Sequence, residues 1–366
     1  MSLRFLVSIA AFITVVSFAP APVAAPTSLL SFVGVAEAAS GEGAQVASSA
    51  AKLTPAAKAW TPPRTAWGEP DLQGVWDYRT ITPLERPSAL AEKPVLTDEE
   101  AANFEREENR RQNRDLIDPA KGGLQYPAGG VIPYNEFWYD RGNSLVGSKR
   151  TSLIVDPPDG RLPPLTPEAQ KRAATRARED RETQAGRPRA DSYEDRPLSE
   201  RCISFGGTVP MLPGAYNNNV QLVQTPGYVA IVNETIHEHR IVPLDGRPHV
   251  NPDIRQWLGD SRGRWEGNTL VVETRNFSPK TDFRGAGAGL HVVERFTRVD
   301  LDTLEYTFTV EDPTTWTRSW TAMIPMKRNP EPMYEYACHE GNESIVGVLS
   351  GARADEHATE GASKAR

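Results

Sequence analysis

The chain has little of what most catalytic and nucleic-acid-binding classes need. It holds only two cysteines, Cys202 and Cys338, and they lack the spacing of a zinc site. Its 41 basic residues are outnumbered by 48 acidic ones, for a formal charge of -7, and no dense run of Lys and Arg offsets that balance. A phosphate backbone is therefore a poor partner, and no nucleic acid is expected. No G-x-S-x-G elbow and no Walker-type phosphate loop is present. Long helices are scarce, because 31 prolines and 28 glycines interrupt them, and that favours a mainly β fold.

Long apolar runs are also missing. Phe5 to Phe18 is uncharged and apolar, but a bilayer crossing takes about 20 residues. With Arg4 before it and small-residue sites after it, residues 1–25 read as a secretory leader. No cysteine lies near it to carry a lipid, so the mature chain is expected in the periplasm or outside the cell, with no membrane span. Residues 26–59 are a flexible linker, since Ala, Ser and Gly bury too little surface to offset chain entropy. Residues 60–350 form one mainly β domain, with helical or loop insertions at 97–114 and 166–185, and residues 351–366 are a disordered tail. In an exported chain an even pair of cysteines reads as a disulfide, here Cys202 to Cys338.

The motifs order the domain. Gly74-Val75-Trp76 opens a short strand, and Thr97-Asp98-Glu99-Glu100 is a capping box starting a polar helix. Thr166-Pro167-Glu168 starts a second helix without large apolar residues. From Asn219 nine strands follow at meander spacing, ending with Met333–His339, and such a meander can close into a barrel. Gly267-Asn268 is a two-residue hairpin that pairs Trp265 with Leu270, Gly263 with Val272 and Arg262 with Glu273. The hairpin at Leu301-Asp302 allows two registers. An even loop pairs Val299 with Leu304 and turns His291 and Arg295 inward; a three-residue loop turns Val292, Glu294 and Phe296 inward. The first is preferred, because it gives the apolar residues of the returning strand apolar partners and sets Arg298 opposite Glu305.

The candidate site follows from that choice. In V-A-I-V-N-E-T-I-H-E-H-R-I-V-P, His237, His239 and Ile241 share one strand face, while Glu238 and Arg240 are assigned to water. His237, His239, His291 and Arg295 would then converge as candidate acid–base groups in a space lined by Trp265, Tyr306, Phe308 and Trp76. Two imidazoles on one face also suit a divalent metal, with His249 or His291 as third ligand. The H-x-H resembles that of cupins, but the Glu expected a few residues later is absent, so metal-free histidines are the preferred reading and no cofactor is implied.

D-L-Q-G-V-W (71–76), G-R-W-E-G-N-T-L-V-V-E-T (263–274), E-R-F-T-R-V-D (294–300) and Y-A-C-H-E-G-N (336–342) resemble a widespread family of exported bacterial proteins of uncharacterised function. That family supplies no catalytic residues to carry over. The G-V-W is also similar to the G-x-W of lipocalins, where the Trp plugs the barrel floor, a looser likeness to calycin-type barrels. Three functions stay open: a barrel that takes a small, largely apolar molecule inside, which is preferred; an enzyme of hydratase, isomerase or lyase type on such a molecule; and a structural envelope protein with a filled core.

Overall fold

A computed structural model describes residues 60–116, 135–185, 190–205, 209–236 and 238–364. The expected leader and linker, and His237, lie outside these residues. Ten strands form one sheet: β1 (Gly74–Asp77), β2 (Ile154–Asp156), β3 (Asn219–Thr225), β4 (Tyr228–Asn233), β5 (His239–Pro243), β6 (Asp260–Glu266), β7 (Thr269–Arg275), β8 (His291–Arg298), β9 (Thr303–Glu311) and β10 (Trp320–Asn329). Nine follow the order β5-β4-β3-β1-β10-β9-β8-β7-β6, and β2 pairs with β10 beside β1. Every pairing is antiparallel. The sheet curls until its end strands, β5 and β6, approach each other, giving the nearly closed barrel that the meander spacing predicts.

Period-two alternation explains why these segments are strands. Along β8, β9 and β10 buried and partly exposed residues alternate, as in a wall with one face on a core. The inner face is aromatic and filled. Trp76, Phe296, Tyr306, Phe308 and Trp320 are fully buried. Ring centroids stand 4.9 Å apart for Phe296 and Tyr306, 5.5 Å for Tyr306 and Phe308, and 5.7 Å for Phe308 and Trp320. Trp76 donates its indole N–H to Leu72 O at 2.9 Å, so this ring is fixed with its donor satisfied.

The helices start where the motifs place them. Helix α1 (Asp98–Gln112) carries the full capping box between Thr97 and Glu100. Helix α2 (Pro167–Ala185) begins with proline at its first position and is tied to the barrel by polar contacts, including Arg172 to Thr315 Oγ1 at 3.2 Å and Arg176 to Asp282 at 2.7 Å. Cys202 and Cys338 form the expected disulfide.

Four expectations are corrected. The β8–β9 hairpin takes the other register: Arg298 faces Leu304, Phe296 faces Tyr306 and Glu294 faces Phe308. Val292, Glu294 and Phe296 therefore point in, and His291 and Arg295 point out. On β5 the faces are likewise reversed: Arg240 is 4% exposed, whereas Ile241 is 57% exposed and His239 faces solvent. Met333–His339 forms no strand; without a neighbouring strand to complete a ladder, its alternation stays irregular. The tail expected to be disordered continues helix α3 (Ser344–Lys364), anchored where Arg353 donates to Ala190 O and Asp191 O at 3.0 and 2.9 Å.

The first two corrections share one cause. Burying Glu294 alone would be prohibitive, and the preferred register avoids it. Arg240, 54 residues earlier, supplies the opposite charge at the same place, so both strands turn their charged faces inward together.

Candidate functional site at the polar end of the barrel

Arg240 on β5 spans the gap to β7 and β8. Its Nη1 and Nη2 donate to Glu294 Oε2 and Oε1 at 2.5 and 3.0 Å, a bidentate pair with both side chains buried. Nη1 also reaches Thr274 Oγ1 at 3.3 Å, and that hydroxyl shares a hydrogen bond with Ser261 Oγ at 2.9 Å. Tyr306 donates its hydroxyl to Glu294 Oε1 at 2.8 Å and accepts from the backbone N–H of Met211 at 3.0 Å. Burial works against charge on Arg240, but Glu294 beside it outweighs burial and holds the guanidinium above its usual pKa. Burial, reinforced by the charge of Glu294, pushes the Tyr306 phenol well above its usual value, so it stays a donor.

This cluster also closes the barrel. Strands β5 and β6 share no backbone ladder, so side chains must hold the gap. Gly263 on β6 permits the approach: a Cβ there would stand 2.5 Å from Leu244 Cδ2 and 2.8 Å from Val242 Cγ1.

Next to Arg240 on the inner face, the balance of donors and acceptors is incomplete. The backbone N–H of Asn233, at the end of β4, donates to Glu238 O at 2.9 Å, which sets the two residues side by side. Asn233 is 2% exposed and Glu238 4%, yet Asn233 Oδ1 and Nδ2, Glu238 Oε2 and Arg240 Nε have no hydrogen-bond partner. Only Glu238 Oε1 is engaged, by the backbone N–H of Phe205 at 3.1 Å. Buried polar atoms are rarely left this way, and each costs about 1–3 kcal/mol when unsatisfied. The connecting turn is strained as well, with the β-branched Ile236 at φ 54°. Nearby, burial first and then Glu234, Glu238 and Asp77 drive the Tyr78 phenol far above its usual pKa, which marks this end of the barrel as electronegative.

The residues singled out from the sequence divide between the two sides of the wall. Trp76, Tyr306 and Phe308 line the interior as core, with Trp265 packed against them and its indole N–H buried without a partner. The described polar candidates do not converge. His239 faces outward on β5. His291 lies between carboxylates, Nε2 at 3.0 Å from Glu273 and Nδ1 at 3.2 Å from Glu311, beside a surface cleft of about 380 Å³. Arg295 pairs with Glu266 at 2.5 Å on the outer face. His249 lies in the β5–β6 connection with Nδ1 2.8 Å from Asp260. Among the described residues no group of three or more His, Cys, Asp or Glu is arranged to hold a metal ion. At His291 the geometry shows why: the two carboxylates meet opposite ring nitrogens and cannot share an ion with it.

Asn233, Glu238, Arg240 and Glu294 were missed. The pattern that could have found them is the three-residue-loop register, which turns Glu294 inward and so demands an inward-facing cation on another strand. Arg240 meets that demand. Comparison with protein-family models, with curated proteins and with solved structures finds no match to this chain.

Proposed function

We propose that this is an exported barrel protein of the uncharacterised exported family its motifs resemble, and that it holds a small polar molecule at the Asn233–Glu238 end of its interior. One observation carries the reading: four polar atoms on adjacent inner positions, buried and without partners. Recognition sites need such groups, because apolar walls supply burial while a few convergent polar atoms set orientation. A polar guest is favoured over the largely apolar one expected from the sequence. Trp76, Phe296, Tyr306, Phe308 and Trp320 already fill the apolar part of the barrel with one another. Export is supported by the leader-like N-terminus and by the Cys202–Cys338 disulfide, a bond of oxidising compartments.

The same packed aromatic interior favours a second reading, a structural envelope protein with a filled core. Asn233→Leu separates the two. If the polar atoms serve a guest, the variant keeps or gains stability by about 1–3 kcal/mol in urea unfolding, and a guest seen by native mass spectrometry of protein purified from its own host disappears. A variant that is clearly less stable, with no guest on either protein, would establish the structural reading instead.

A further inference from the structure

The unpartnered atoms are not interchangeable, and their chemistry narrows the guest. Resting on the polar-guest reading above, we infer that the molecule is a small zwitterion of the α-amino-acid class, its ammonium held by Glu238 and Asn233 and its carboxylate by Arg240 and Asn233.

Glu238 calls for a cation. It is a buried carboxylate with one oxygen on a backbone N–H and the other on nothing, and no Lys, Arg or His among the described residues lies within ion-pair distance of it. Arg240, the cation closest along its strand, is already bidentate to Glu294. A carboxylate in that position is stabilised by an external positive group more than by a neutral donor. The Tyr78 phenol experiences the same field, with Glu234 and Glu238 both opposing its ionisation. Two donors beside this acceptor point the other way. Arg240 Nε and the Asn233 amide nitrogen need acceptors, and Asn233 Oδ1 adds a second acceptor for the ammonium. Asn233 offers an NH2 group as donor and a carbonyl oxygen as acceptor whichever way its amide is turned. A guest that satisfies all four carries N–H donors with positive charge and oxygen acceptors a few bonds apart. An ammonium and a carboxylate on one carbon meet that requirement. An amine alone leaves Arg240 Nε unpaired, and a carboxylic acid alone meets Glu238 with like charge.

The test is calorimetric titration of the full-length protein with glycine, alanine, serine and threonine, set against ethylamine and propionate, each lacking one charge of alanine. At least one amino acid should bind tenfold or more tightly than both single-charge probes, and Glu238→Gln should weaken it at least tenfold while its far-ultraviolet circular dichroism is unchanged. Ethylamine binding as tightly as alanine would overturn the zwitterion while leaving a polar guest. The same division holds if no amino acid binds but native mass spectrometry shows a guest that Asn233→Leu loses. If neither titration nor native mass spectrometry finds a guest, both readings fall. Amino-acid binding that survives Glu238→Gln and Asn233→Leu would place the molecule elsewhere and overturn the assignment.

Discussion

Arg240 and Glu294 are informative one at a time. Each alone in the interior would be an uncompensated buried charge, whereas together they satisfy each other and Tyr306. Removing one, as in Arg240→Met or Glu294→Leu, should therefore destabilise by about 3–5 kcal/mol, and the double variant should recover most of that loss. Urea unfolding of the two singles and the double, treated as a mutant cycle, measures it. The buried phenols make a separate prediction with a definite sign. Tyr78 and Tyr306 have folded pKa values raised above the unfolded value of about 10. Their contribution is complete below pH 10 and is lost as pH rises from there toward the folded values, because the unfolded state releases protons that the folded state retains. Unfolding midpoints followed from pH 8 to 11 should fall above pH 10, and the fall should be shallower in Tyr78→Phe.

Among the elements, most strands were legible because one face is dry and the other wet, so alternation survives in the sequence. The β6–β7 register was legible for the same reason, since Gly267-Asn268 permits only the pairing of Trp265 with Leu270 and Gly263 with Val272. The β8–β9 register was not. Local pairing rules count Glu294 as a solvent residue, and only a partner on β5 reverses that. Sequence reasoning confined to one hairpin cannot see an ion pair across the barrel, and the error turned His291 and Arg295 inward. Gly263 is where this part of the fold can be tested. A methyl group at this position meets Val242, a β-branched side chain with little freedom to move, so Gly263→Ala should cost about 1–3 kcal/mol. Thermal unfolding measures this; an unchanged midpoint would mean that β5 and β6 have room to separate.

Over the whole molecule, one covalent bond encloses the strands from β3 to β10. Cys202 and Cys338 are 136 positions apart, so the disulfide removes a large share of unfolded-chain entropy, an upper figure of about 4–5 kcal/mol in the chain-entropy model. Replacing both cysteines by serine should lower the urea midpoint and loosen the attachment of α3, which hydrogen exchange at the residues around Arg353 would report. The same bond was legible in the sequence because there are only two cysteines to join; the helix beyond Ser350 was not, since its residues there are small or charged and carry no apolar stripe. The place of β1 has a further consequence, for the order of events in synthesis. Val75 pairs with Gln221 on one side and with Asn329 on the other, so the earliest strand among the described residues is the bridge between two meanders completed much later. Until Asn329 has been made, β1 lacks one neighbour and β10 does not exist to receive it. Contacts this distant along the chain make folding slow, and they leave strand edges open to other chains in the interval. A growing polypeptide of this kind depends on being kept from its neighbours until its last strand is complete.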